Sequence, residues 1–217
     1  MSAARRNVAW LRPVPSRPAS KPPAEPIADA DVIEAVVRGD GAVAGELYDR
    51  LSRTVDQTLF RVLGRREADH EDLVQSTFEQ IVKTLTQQRF AGACSLKTWA
   101  SSVASHVALN ALRSRRRERG VFDRHDSEAP DAAVSNADPE RDLSLRRELD
   151  RVRGELAQMS AGRAEALLLH DVLGHDLAEI AALTGTSIAA AQSRLVRGRH
   201  ELMERLDRKD GKSRGKP

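Results

Sequence analysis

The 217-residue chain is 40% hydrophobic, 31% charged and only 3% aromatic, a balance that argues against a sandwich or barrel and for helices with modest cores. Its length suits one medium domain or two small ones. A formal charge of +3 and a sequence pI near 9.3 direct attention to local basic clusters. The single cysteine, Cys94, excludes an internal disulfide and an intramolecular Cys-rich zinc site, and is expected to be a small buried side chain in a turn. No apolar stretch approaches the roughly 20 residues of a membrane span, and the N-terminus lacks the apolar core of a signal peptide. The expectation is a soluble cytoplasmic protein without membrane insertion.

Residues 1–28 hold Pro13, Pro15, Pro18, Pro22, Pro23 and Pro26 with little apolar periodicity, and read as a disordered arm. Residues 29–119 follow a helical pattern throughout. Within them DHEDLVQSTFEQIVKTL opens on Asp69, placed as an N-cap before an acidic first turn. Val74, Phe78, Ile81 and Leu85 make one apolar face. Asp72, Gln75 and Glu79 lie on another, which taken alone is an ordinary solvated surface.

The next helix, SLKTWASSVASHVALNALRSRRRER, carries more information, with Ser95 as its N-cap. At about 100° per residue, Leu96, Ala100, Val103, Val107 and Ala111 cluster on a core face. Trp99, His106, Asn110, Arg113 and Arg117 form a second stripe beside it. A stacking aromatic, an imidazole, an amide and two guanidiniums in line are the chemistries that grip single-stranded nucleic acid. A half-buried Trp with a solvated basic helix end accounts for the same pattern. The run RSRRRER adds weight to the nucleic-acid reading, because clustered arginines bind phosphates and release counterions.

Residues 120–142, GVFDRHDSEAPDAAVSNADPERD from Gly120, read as a flexible linker. Helical pattern resumes over 143–206, and 207–217 form a polar, basic tail. The second unit contains a helix-turn-helix pattern. Leu177, Ile180, Ala181 and Thr184 share a face of the first helix, Gly185 permits the tight turn, and Ser187 can cap the second helix. There Ile188, Ala191, Leu195, Leu202 and Leu206 are placed on the core side, with Ala190, Ser193, Arg194 and Arg197 opposite. Small side chains in the first turn let the backbone approach a major groove, while polar and Arg side chains further on reach bases and phosphates. An Ala-rich hairpin with a basic outer face is the plainer account. The group His170, Asp171, His175 and Asp176 lacks the i, i+4 spacing of metal ligands. The sequence shows no Gly-rich phosphate loop and no nucleophile constellation, so no cofactor, metal or catalytic residue is expected.

Together these motifs resemble the extracytoplasmic-function (ECF) sigma factors, initiation subunits of bacterial RNA polymerase, over roughly residues 30–206. DHEDLVQSTFEQIV followed by SLKTWASSVASHVALNALRSRRR is similar to the family's region 2, and LLLHDVLGHDLAEIAALTGTSIAAAQSRLVRGRHEL to its region 4. The resemblance implies an all-α fold of two small helical domains, a region 2-like bundle and a region 4-like helix-turn-helix. It implies that Asp72, Gln75, Phe78 and Glu79 dock on the clamp helices of the polymerase largest subunit, with region 4 on the flap. It implies that Lys97, Trp99, His106, Asn110, Arg113, Arg116 and Arg117 read and melt the −10 element. Ser187, Ala189, Ala190, Gln192, Ser193, Arg194 and Arg197 would read the −35 element. The implied partners are core RNA polymerase, promoter DNA and an anti-sigma factor. The chain departs from the family's frequent residues at Ser76, His106, Ala190 and Gln192, which leaves its promoter sequence open. Two other readings compete: a helix-turn-helix regulator that binds operators without core polymerase, and a helical scaffold whose basic faces are only solvated. The first leaves the Trp99 stripe and the Asp72 face without a task.

Overall fold

The computed structural model describes residues 28–122 and 139–214, which form eight α-helices, one π-helical turn and no strand. The parts read as arm, central linker and end of the tail fall wholly or largely outside the described residues. The first unit holds α1 (Asp29–Val37), α2 (Gly41–Leu63), α3 (His70–Thr86) and α4 (Leu96–Phe122). The second holds α5 (Pro139–Leu156), α6 (Ala161–Leu167), a π-helical turn (Leu168–Val172), α7 (Leu177–Thr184) and α8 (Ile188–Arg214). Helix therefore continues into both ends of the stretch 120–142. Among the described residues no helix is long and apolar enough to cross a membrane.

The first unit is organised by two rows of buried residues at i, i+4 spacing. Helix α2 presents Leu47, Leu51, Val55 and Leu59, and α4 presents Leu96, Ala100, Ala104 and Ala108. A large row against a small one lets the two helices approach closely while filling the space between them. Helix α3 adds Ile81 and Leu85, and α1 adds Val32 and Val36.

The core face of α4 differs from the expected one. Val103, Val107 and Ala111 are only partly buried, while Ala104, Ala108, Leu109, Ser101 and Ser105 lie inside. The expected valines flank the central row and do not form it. The serines are tolerated because their hydroxyls donate back to the carbonyls of Thr98 (2.7 Å) and Ser102 (2.8 Å). Ser95 caps α4 by accepting from the Thr98 N–H at 3.1 Å. Asp69 precedes α3 as expected but makes no side-chain cap bond. Its carboxylate instead receives Arg115 at 2.6 Å, because a charged partner outcompetes a backbone amide.

In the second unit α8 packs on α6 and α7, burying Ala191, Leu195 and Gly198. Ile188 departs from the expected core side and is 54% exposed. Side chains lean toward a helix's N-terminus, so this first residue reaches past the helices that cover Ala191. Glu201 ties α8 to α6 through Arg163 at 2.7 Å. One apolar cluster runs through both units, joining Leu59 and Leu109 to Leu156, Met159, Ala164 and Leu168.

Candidate functional surfaces

On α3, Asp72, Gln75 and Glu79 are exposed, and Gln75 donates to Glu79 at 3.0 Å. Phe78 is half-buried against the core and meets Tyr48 of α2, with ring centroids 4.7 Å apart. Tyr48 is 50% exposed, so the acidic face borders an open aromatic edge. Sequence reasoning missed Tyr48. Its only signal is a position one residue off the Leu47, Leu51, Val55 row, where a polar residue would be expected.

The stripe on α4 divides. His106, Asn110 and Arg117 are exposed, as is Lys97 in the first turn. Trp99 is half-buried and packs on Phe90 at 4.9 Å between centroids, so only part of its ring is presented. The arginine run divides too. Arg115 is drawn into the fold by Glu67 (3.1 Å) and Asp69, whose carboxyl its guanidinium holds below the usual range. Arg113 Nη2 donates to the Met159 carbonyl at 3.1 Å, and Arg116 Nη1 to the Gly154 carbonyl at 3.3 Å. Asn110, Arg113, Arg116 and Arg117 line an open pocket whose far wall is Ala157 and Gln158 of the second unit.

The helix-turn-helix is built from local chemistry. Asp176 and Glu179 form a reciprocal capping box at the start of α7 (2.8 and 3.1 Å). Gly185 ends α7 with φ +62°, a left-handed conformation that costs glycine little. Ser187 caps α8 by accepting from the Ala190 N–H at 3.2 Å. Ser187, Ala189, Gln192 and Arg197 are exposed, while Ala190, Ser193 and Arg194 are half-buried. The Arg194 side chain lies along α6 beside Gly162, its Nε 3.4 Å from where a Cβ on that glycine would stand. Arg199, by contrast, is bound to Asp171 at 3.0 Å, and this guanidinium lowers the Asp171 carboxyl.

Among the described residues no group of three or more His, Cys, Asp and Glu could hold a metal ion. His170 pairs with Asp171 at 2.7 Å and His175 with Ser101 at 2.9 Å, so the two histidines serve different contacts. Cys94 is half-buried in the α3–α4 connection, where burial pushes its thiol up.

Comparison with known proteins agrees with this division. The family model for Sigma-70 region 2 matches residues 47–118, and that for Sigma-70, region 4, matches residues 149–202. The chain is 33% identical to the RNA polymerase sigma factor CarQ of Myxococcus xanthus, over 74% of this chain and 87% of that protein. It is 30% identical to the ECF RNA polymerase sigma factor SigC of Mycobacterium tuberculosis, over 61% and 68% of the two chains. Among solved structures it is similar to CnrH in complex with the cytosolic domain of CnrY, with a TM-score of 0.48 and 23% identity, covering 83% and 98%.

Proposed function

The chain belongs to the extracytoplasmic-function family of RNA polymerase sigma factors, and on that premise we propose how its surfaces divide the work of initiation. It directs core RNA polymerase to specific promoters and promotes opening of the −10 element. The exposed Asp72, Gln75 and Glu79, with Phe78 and the Tyr48 edge beside them, dock on the clamp helices of the largest subunit. Lys97, Trp99, His106, Asn110, Arg113, Arg116 and Arg117 hold the melted −10 strand. Ser187, Ala189, Ala190, Gln192, Ser193, Arg194 and Arg197 read the −35 duplex, while the second unit rests on the flap. The chain lends specificity, and the polymerase does the chemistry. Work in the cytoplasm and control by an anti-sigma factor go with this assignment.

The observation that carries it is a region 2 match and a region 4 match on one chain, in that order, each falling on its own group of packed helices. A regulator acting alone needs only the second. Reconstituted transcription tests the reading: core polymerase with this chain should start at discrete sites on genomic fragments that core alone ignores. The Asp72→Ala, Gln75→Ala double variant should fold normally and bind core at least tenfold more weakly, a loss of about 1.4 kcal/mol. Tight, specific operator binding without core, and no core-dependent starts, would establish the regulator instead.

A further inference from the structure

We propose that the recess where α2, the first turn of α4 and the turn before α7 meet is a binding site for a small phosphorylated ligand, taking the terminal phosphate of a phosphomonoester. Such a site is independent of the promoter assignments above, although it shares Lys97 with them.

The site begins as a stripe in the sequence. Thr54, Gln57, Thr58 and Arg61 follow one another at i, i+3, i+4 and i+7, so they share one face of α2. Beside the buried row Leu47, Leu51, Val55 and Leu59, such a polar stripe would ordinarily be solvated. Thr58 is not, for only 4% of it is exposed. Neither its hydroxyl nor that of Thr54 has a hydrogen-bond partner among the described residues. A buried hydroxyl left unpaired is costly, and valine would fill nearly the same volume without that cost. Thr58 lines the recess, so its partner has to come from there.

The walls supply charge. Arg61 and Lys97 both line the recess, and neither has a carboxylate partner among the described residues. Arg50, Arg66, Arg115 and Arg199, by contrast, each hold an acid. Lys97 and Thr98 stand in the first turn of α4, the end of a helix that favours an anion. The hydroxyls of Thr98 and Ser101 are already paired locally, with Ser95 (2.8 Å) and with the Thr98 carbonyl (2.7 Å). His175 Nε2 shares a hydrogen bond of 2.9 Å with Ser101, and Glu179 is 3.4 Å from the other ring nitrogen. The imidazole and Leu173 are therefore wall, and the uncommitted groups are Thr54, Thr58, Arg61 and Lys97.

Two hydroxyls, a guanidinium fork and an ammonium match an oxygen-rich anion. The volume of about 220 Å³ is below the roughly 300–1,000 Å³ that encloses a drug-sized ligand, so it suits a phosphate and the first atoms attached to it. A nucleic-acid backbone carries the same group as a diester, with one charge and a chain continuing on both sides. A monoester brings nearly two charges and three free oxygens, and it can reach buried Thr58 by its end.

Calorimetric titration of the full chain with inorganic phosphate, at neutral pH and fixed ionic strength, should saturate at one phosphate per chain. Arg61→Gln and Thr58→Val should each weaken binding about tenfold or more, the loss expected for a charge-assisted hydrogen bond. Arg53→Gln, at an exposed position of α2 outside the recess, should change nothing. Dimethyl phosphate, a diester probe, should bind more weakly than inorganic phosphate. Equal affinity for the two probes would give the recess to a nucleic-acid backbone and overturn the proposal. Binding that does not saturate, or that Arg53→Gln weakens as much as Arg61→Gln, would mean an adventitious counterion only and overturn it too. So would a folded Thr58→Val variant that binds phosphate like wild type. If Thr58→Val fails to fold, Arg61→Gln against Arg53→Gln decides.

Discussion

His106 and Asn110 stand one turn apart on α4, both exposed, between a partly buried tryptophan and the arginines. Flipping a base out of the stack costs a few kcal/mol, so a protein that opens DNA must supply replacement contacts. An imidazole can stack on a base, and an amide can both donate and accept. We expect His106→Ala and Asn110→Ala to leave core binding intact, slow promoter melting and change the preference for one non-template −10 base. A premelted promoter should restore most of the rate but not the preference. Wild-type melting with unchanged preference would reduce these two side chains to solvated surface. The neighbouring Arg115 is a different case: it belongs to the same basic run, yet Glu67 and Asp69 claim it.

At the scale of the elements, two glycines in helices should respond oppositely to the same substitution. Gly45 in α2 has open space where a Cβ would go. Gly45→Ala should therefore stabilise the fold by about 0.5–1 kcal/mol, through helix propensity alone. Gly198 in α8 is buried, and a Cβ there would stand 3.1 Å from the Arg163 backbone carbonyl and 3.3 Å from Leu167. The backbone of α6 gives way less easily than a flexible side-chain end. Overpacking costs about 1–3 kcal/mol, so Gly198→Ala should be destabilising despite the propensity gain. Thermal melts of the two variants decide the matter, and a higher melting temperature for Gly198→Ala would mean that α6 and α8 separate freely. A glycine in the middle of a long helix is itself a sequence signal of close approach, and Gly198 could have been recognised by it.

At the scale of the whole molecule, acid should loosen several links at once. Arg66 (with His70) lowers the Asp56 carboxyl, Arg115 lowers Asp69, Arg199 lowers Asp171, and Arg163 lowers Glu201. A carboxyl depressed on folding adds stability above its unfolded pKa, about 3.9 for Asp and 4.3 for Glu, and loses it as pH falls through the folded value. The melting temperature should therefore drop steeply below about pH 4. Arg115→Ala should start lower and lose less across that window, because Asp69 then lacks the guanidinium that is the main cause of its depression. An unchanged acid dependence in this variant would show that the Arg115–Asp69 pair adds nothing to stability.

By itself the sequence determined the helical class, the two units and most of the local devices, because these depend on neighbours a few residues away. The Ser95 and Ser187 caps, the turn at Gly185 and the apolar row through Ile81 and Leu85 follow from spacing and side-chain chemistry alone. Tertiary structure decided which of several similar residues each face uses. It buried the Ala104 and Ala108 row in place of Val103 and Val107, since α2 supplies the bulk and α4 must supply the space. It turned Ile188 outward, and it divided one run of arginines among an ion-pair network, the α5–α6 corner and open solvent. Periodicity assigns a side chain to a direction, but its partner arrives from a helix dozens of residues away. Only packing brings the Gly154 and Met159 carbonyls to Arg116 and Arg113.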